Sequence, residues 1–362
     1  MDYKAKHNNY LKALKNKKKG LSIIDSMPVR VFIATTNACN LRCSFCPNTI
    51  NPKTIKTEMP WNIFEKIGNE LFPFALEYHT TVNGEPFLTS YFPKIINILS
   101  KFNTGLNVTT NGMLLSQKIS DLILPVLTDI KISFDGATKQ TFERLRPGAN
   151  FDQIIKNIRG FVKARDQYML SQDNRTIKPT LTLQVTLSRD NLEDLPKIVE
   201  IADDLGADRV KAYLMVVYKE TELPNSLWYY QEMTDKILEE AEQNAQKAEI
   251  AYKFPKKFKS QTISAQNDVD TDCHFLWQEA WIKPNGDVVT CCVLNAPVVG
   301  NIIQEPFIKI WNNQSYQRIR ASINTQNSAL ICSNCALVNE FRKDNNWQYS
   351  DKALIQLGSY ND

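Results

Sequence analysis

Three cysteines crowded behind one strand-like run limit what this chain can become. Cys39-Asn-Leu-Arg-Cys43-Ser-Phe-Cys46-Pro47 sets three thiols at spacings of four and three, directly after the apolar run Val29–Ala34. Such a run, bounded by polar residues, reads as a β-strand. Thiolates are soft ligands that select zinc, copper(I) or iron–sulfur clusters. Structural zinc is closed by four ligands, usually in pairs, and no fourth Cys or His lies beside this loop. A cubane held by three cysteines instead keeps one iron open for a small molecule.

The rest of the composition narrows the class. A chain of 362 residues can hold one large domain and a smaller one. No apolar run approaches the roughly 18 residues a membrane span needs, and the N-terminus shows no apolar signal region. The eight cysteines are clustered in motif-like fashion, which points to metal or catalytic sulfur in a reducing compartment. A cytoplasmic location without membrane contact is therefore expected. The net charge is +4, and Lys4, Lys6, Lys12, Lys15, Lys17, Lys18 and Lys19 crowd the start. Such an arm could meet nucleic acid. The preferred reading is a solvated helix with Tyr10, Leu11 and Leu14 as a weak apolar face, so nucleic acid is not an expected partner.

Beyond the arm, strand-like runs alternate with helical patterns, which predicts βα units and a parallel sheet. The candidate strands are Val29–Ala34, Ala75–Val82, Leu106–Thr109, Asp129–Phe134, Thr180–Thr186 and Val210–Val216. Helical stretches include Trp61–Leu71, Phe92–Ser100, Phe151–Ala164 and Leu192–Leu205, the last with Asp190-Asn191 as N-cap and Gly206 as C-terminal stop. The fold class is α/β, a partial (β/α)6 TIM barrel, with chemistry expected at the C-terminal ends of its strands. The expected division is an arm over 1–27, the barrel over 28–225, a helix and linker over 226–272, and a small α+β domain over 273–362. In that last part Ile282–Val288 alternates around Asn285-Gly286, a two-residue hairpin signal.

Cys39, Cys43 and Cys46 form a CxxxCxxC that resembles that of the radical S-adenosylmethionine (SAM) enzymes, with Phe45 in the aromatic position before the last cysteine. Later segments agree with it. Asn83-Gly84-Glu85-Pro86 is similar to the family's GGEP, which implies that Gly84 and Glu85 receive the SAM ammonium; Asn83 departs from Gly but can adopt left-handed geometry. Alone, this tripeptide would be only a turn. Thr110-Asn111-Gly112 resembles TNG, although a plain Asn-Gly turn would look the same. Ser133-Phe-Asp135-Gly136 resembles SxDG and implies that Ser133 meets the ribose or the carboxylate. The family's arginine for the SAM carboxylate corresponds to Arg146, in preference to Arg144, and a guanidinium fork suits a carboxylate. Met215, within Leu214-Met215-Val216, would edge the adenine, with core packing as the alternative.

A second constellation comprises Cys273, Cys291-Cys292 and Cys332-Ser-Asn-Cys335, around Gly300-Asn301-Ile302, Ile310-Trp311-Asn312 and Arg318. It resembles the SPASM/twitch extension of radical SAM enzymes, of the 2-deoxy-scyllo-inosamine dehydrogenase type and of peptide maturases. The resemblance implies an auxiliary 4Fe–4S cluster; a four-cysteine zinc ribbon, normally built from two CxxC pairs, is the alternative. The expected ligands are Cys273, Cys291, Cys332 and Cys335. That leaves Cys292 spare, either a small buried side chain or a hydrogen donor that would make the enzyme an epimerase.

The resemblance thus implies SAM and two 4Fe–4S clusters as cofactors, with a reductant such as flavodoxin or ferredoxin. An auxiliary cluster is most useful where an electron must leave the substrate radical, so net oxidation is the expected reaction. Only about 28 residues precede the first strand, which favours a small molecule or a peptide delivered by a separate recognition protein. Asp272, His274, Glu279 and His79 are possible acid–base residues, none singled out by its surroundings. Two non-enzymatic readings stay open: a structural-zinc interaction protein, and RNA binding through the lysine arm.

Overall fold

Six runs of β-branched and aliphatic residues become β1 (Arg30–Ile33), β2 (Glu77–His79), β3 (Gly105–Thr110), β4 (Leu127–Ser133), β5 (Thr180–Leu187) and β6 (Arg209–Leu214). The computed structural model describes residues 3–50, 56–80, 83–172, 177–260, 273–293, 296–323, 325, 327, 328 and 332. These six strands pair in parallel in chain order, with helices in the crossovers, as the alternation predicts. The longer crossover helices each bury one stripe. Trp61–Leu71, for example, turns Phe64, Ile67, Gly68 and Leu71 inward, the spacing of an amphipathic helix.

Several local expectations are corrected. The segment from Leu192 starts as a 3₁₀ turn, and the α-helix runs Leu195–Asp204. Asn191 does not cap it. Its side chain accepts from Ser188 N at 2.8 Å and donates to Asp135 O and Thr186 O, each at 3.0 Å. The stop is as expected: Gly206 has φ +70°, and Gly206 N and Ala207 N donate to Asp203 O and Ala202 O, a Schellman closure. A further parallel strand, β7 (Ala251–Lys253), pairs with β6. Nothing in its three half-exposed residues announces a strand.

The C-terminal segment joins the same sheet. β8 (Glu279–Ile282) lies parallel to β1, pairing Arg30 with Glu279 and Phe32 with Trp281. The hairpin continues through β9 (Asp287–Val289) to β10 (Val298–Asn301). Its first turn is not the two-residue type. Gly286 N donates to Lys283 O and Lys283 N to Asp287 O, both at 2.9 Å, so Pro284, Asn285 and Gly286 form the loop. Only Gly286 has positive φ, +84°. Pro284 fixes the first central position of a type I turn, and a glycine in the left-handed region completes the bulged hairpin.

The basic N-terminal helix, Tyr3–Lys18, packs inward by a polar stripe, Lys6, Asn9, Ala13 and Asn16, and Leu11 is exposed. The reason is a set of loop carbonyls that need donors. Lys6 Nζ donates to Ala75 O at 2.5 Å, Asn103 O at 3.1 Å and Thr104 Oγ1 at 2.9 Å. The stretch after this helix is tied to the C-terminal segment. Trp277 Nε1 donates to Leu21 O, Trp311 Nε1 to Ser26 O, and Asn312 Nδ2 to Ile24 O. Buried Arg320 lies against the Trp311 and Tyr316 rings and donates to Leu276 O, Ser22 O and Asn312 Oδ1.

Two stability predictions follow from these buried cations. Arg320→Met removes the side-chain donor to Leu276 O and Ser22 O and one of two donors to Asn312 Oδ1, and should lower the denaturant-unfolding free energy by roughly 3 kcal/mol. Burial pulls Lys6 from 10.5 down to about 7. Between those values the unfolded chain holds a proton that the folded chain lacks, so stability rises with pH across that window. Burial pulls Lys211 down to about 7 as well, so Lys6→Met should reduce that rise without removing it, as read from denaturation curves at about pH 7 and about pH 10.

Candidate active site

The cysteine loop leaves β1 at the C-terminal rim of the barrel and is held there by the ends of β2, β3 and β4. Gly84, at φ +95°, lies so close that a Cβ would sit 2.5 Å from Thr36 O and 3.0 Å from Asn37 Cα. Glu85 N then donates to Ala38 O at 2.8 Å. Only glycine allows this contact. Asn83 does not take left-handed geometry: among the described non-glycine residues only Asn103 and Glu249 have positive φ.

Glu85 is buried beneath the loop. Its Oε1 accepts from Thr110 Oγ1 at 2.7 Å and its Oε2 from Asn111 N at 2.9 Å. Burial raises its pKa to about 7 against those hydrogen bonds. The Asn111 amide reaches back, donating to Asn40 Oδ1 at 2.8 Å and approaching Cys39 Sγ at 3.7 Å. On the far side Arg146 pairs with buried Asp135, approaches Cys43 Sγ at 3.6 Å and covers the Phe45 ring at 5.7 Å. Arg144 instead faces outward to Asp190. Asp135, whose Oδ1 also accepts from Thr186 N at 2.7 Å, is a residue that the sequence reading passes over in favour of Ser133. The Asp-Gly pair just past a strand end was the available signal. Ser133 closes β4, and Met215 follows β6, its N donating to Leu187 O.

Burial raises the Cys39 thiol and pushes Cys43 up to about 11, Arg146 opposing the latter. The three thiols lie near enough to influence one another and none is in a disulfide. Among the described residues no three Cys, His, Asp or Glu side chains converge as around one metal ion. Cluster thiolates each bond a different iron and stand farther apart. Arg146 Nε is buried without a hydrogen-bond partner, a donor still waiting for an anionic group. Soft sulfur, an unmet guanidinium donor and a glycine-only approach together fit a cluster with a carboxylate-bearing ligand.

The second cysteine set is described in part. Cys273 and Cys332 pack against the main core, and Cys291 and Cys292 against Trp281, Val289 and Ala296. Cys335 and Asp272 lie outside the described residues. Cys291 acts on Tyr316, towards the C-terminal helix. Tyr218 lines the same cavity as Cys291 and Cys292, with Cys292 and Cys46 near enough to influence its hydroxyl. His79 stacks on Phe32 and pairs with Glu77, while His274 and Glu279 pair with each other. A cavity of about 520 Å³ runs from Pro47, Asn48 and Ile50 to Cys291 and Cys292, with Tyr218 on its wall.

Residues 33–201 match the profile of the radical SAM superfamily, and residues 273–336 match that of an iron–sulfur cluster-binding domain, SPASM. The chain carries a radical SAM domain followed by a SPASM domain. Radical SAM domains bind SAM and a 4Fe–4S cluster, and SPASM domains bind auxiliary iron–sulfur clusters. The PqqA peptide cyclase of Bradyrhizobium diazoefficiens is 25% identical over 188 residues, 51% of this chain and 46% of that protein. The GTP 3′,8-cyclase of Peptoclostridium acidaminophilum is 30% identical over 132 residues, 35% and 40% respectively. The chain thus spans less than half the length of these two relatives. Crystal structures of Streptococcus suis SuiB bound to SAM and to precursor peptide SuiA share the fold. Their TM-scores are 0.65 and 0.64 at 16% and 15% identity, over 92% and 88% of this chain and 76% and 72% of SuiB. No helix among the described residues is long and apolar enough to cross a membrane.

The Gly84 contact makes a clean test. Gly84→Ala forces a Cβ into the Thr36 carbonyl and should sharply reduce iron content and SAM binding after anaerobic reconstitution. Gly160→Ala, where a Cβ meets nothing within 4 Å, should leave both unchanged and gain up to about 1 kcal/mol of helix stability.

Proposed function

We propose that this chain is a peptide-modifying radical SAM oxidoreductase. The observation that carries the reading is the cavity joining Pro47–Ile50, just past the first cysteine set, to Cys291 and Cys292 of the second. A substrate seated there would lie beside the turn that follows Cys46 and against Cys291 and Cys292. Cys39, Cys43 and Cys46 would hold the SAM-binding cluster, and Cys273, Cys291, Cys332 and Cys335 the auxiliary one. When loaded and reduced by a flavodoxin- or ferredoxin-type donor, the first site supplies a 5′-deoxyadenosyl radical that abstracts hydrogen from substrate. Gly84, Glu85, Asn111, Ser133, Arg146 and Met215 would bind and orient SAM, with Phe45 supporting Arg146. Tight packing around Glu85 and Asp135 keeps water from these groups. Peptide substrates are supported by the named relatives, a PqqA peptide cyclase and SuiB with its precursor peptide.

The position of Cys292 favours a second reading. Both Cys291 and Cys292 line the cavity with Tyr218; with Cys291 as the cluster ligand, Cys292 would be the spare thiol available there to return a hydrogen atom, as an epimerase requires.

Reconstituted protein given dithionite and SAM should release 5′-deoxyadenosine, and alanine at any of Cys39, Cys43 or Cys46 should reduce this to background. The oxidoreductase reading expects a peptide product lighter by two hydrogens, retained in Cys292→Ala. Product loss in that variant with 5′-deoxyadenosine still formed, and deuterium from solvent in the wild-type product, would establish epimerisation instead.

A further inference from the structure

We infer that the cavity between the two cysteine sets selects an anionic stretch of peptide, seating a flat apolar side chain on Trp281 with a carboxylate neighbour at Lys219 and Lys283. The inference rests on the peptide-modifying reading and specifies its substrate class.

The floor comes first. Phe32 and Trp281 stack with centroids 3.7 Å apart and planes 7° from parallel, and His79 stacks on Phe32 at 4.3 Å. Both Phe32 and Trp281 line the cavity. The indole is fixed from behind, since Trp281 Nε1 donates to Glu279 Oε2 at 3.0 Å and Glu279 is bound by Arg30 and His274. With its one polar atom engaged, Trp281 offers an apolar ring, and a locked aromatic surface favours a flat partner.

Charge decides the rest. Among the described residues lining the cavity, Lys219 and Lys283 are the charged ones, and none is acidic. Acids nearby are engaged elsewhere. Glu222 accepts from Tyr218 N and Lys219 N at 2.7 and 3.2 Å, and Asp287 accepts from Asn301 and Asn285 side chains at 2.9 and 2.7 Å. Lys219 Nζ donates to Ile50 O at 2.5 Å, which plants the ammonium across the cavity beside the turn after Cys46. An ammonium carries three donors, so two remain for a ligand. Two cations, with no acidic residue among the described residues of the lining, favour an anion by Coulomb attraction and charge-assisted hydrogen bonding.

The test uses the full reconstituted chain with SAM and three probes: acetylated, amidated Glu-Trp-Glu, Gln-Trp-Gln and Lys-Trp-Lys. Equilibrium dialysis should show the glutamate peptide binding about tenfold more tightly than the lysine peptide, with the gap narrowing as salt rises. Lys283→Glu, with its fold checked by circular dichroism and iron content, should reverse the order. Equal binding of all three peptides, or an order that survives both Lys283→Glu and Lys219→Glu, overturns the inference. Wild-type protein that cleaves SAM but shows no preference sinks the anionic selection alone. Protein that shows the preference and its reversal yet never cleaves SAM sinks the radical-enzyme reading alone.

Discussion

The buried ion pair between Arg30 and Glu279 is the contact on which the geometry of the site depends. It joins neighbouring strands from opposite ends of the chain, β1 and β8, at matched positions of a parallel register. Burial opposes ionisation of Glu279, yet the Arg30 guanidinium together with His274 and His79 outweighs it and holds the carboxyl below its ordinary pKa. A buried pair adds little net stability over apolar packing, but removing one partner typically costs about 3–5 kcal/mol. Its use here is register. Side chains alternate along a strand, so a slip of one residue would turn Trp281 away from Phe32 and re-aim both strand exits. Those exits lead to the two cysteine sets.

Around the cysteine loop, polar groups hold one another before any ligand arrives. Glu85 ties the ends of β2 and β3, Asn111 ties β3 to the loop, and the Arg146–Asp135 pair ties the loop to the ends of β4 and β5. The Glu85 and Arg146–Asp135 ties are short-range and buried, where an electrostatic contact is strongest. Arg146 Nε is the one donor left over among these, and a site assembled in advance in this way avoids rearrangement at the moment of reaction.

Much of this was legible from residue order. β1 to β6 emerge where apolar runs predict them, and Gly206 ends its helix because a left-handed residue is needed there. The cysteine spacing, Gly84-Glu85 and the SxDG segment all fall at the rim of the barrel, because each follows a strand. What stayed hidden depends on distance or on competition. β7 is too short and exposed to carry a pattern. The β1–β8 pairing joins residues 249 apart, which no local signal encodes. Asn191 looks like a cap because caps and strand braces use the same side-chain amide, and tertiary carbonyls won it. The lysine arm looks like a charged surface, but Lys6 and the asparagines face inward to serve loop carbonyls. The Asn-Gly turn is lengthened by Pro284, whose fixed φ suits a type I turn.

The pairing of β1 with β8 also dictates an order of events during biosynthesis. While the ribosome is still translating the barrel, one flank of β1 has no neighbour, and its hydrogen-bonding groups stand open until β8 emerges. An open flank of this kind invites pairing with other nascent chains. The ties from Leu21, Ser22, Ile24 and Ser26 to Trp277, Trp311, Asn312 and Arg320 likewise wait for the later segment. The first cysteine loop is thus synthesised long before the strand that flanks its base, and that base closes only once β8 has been made.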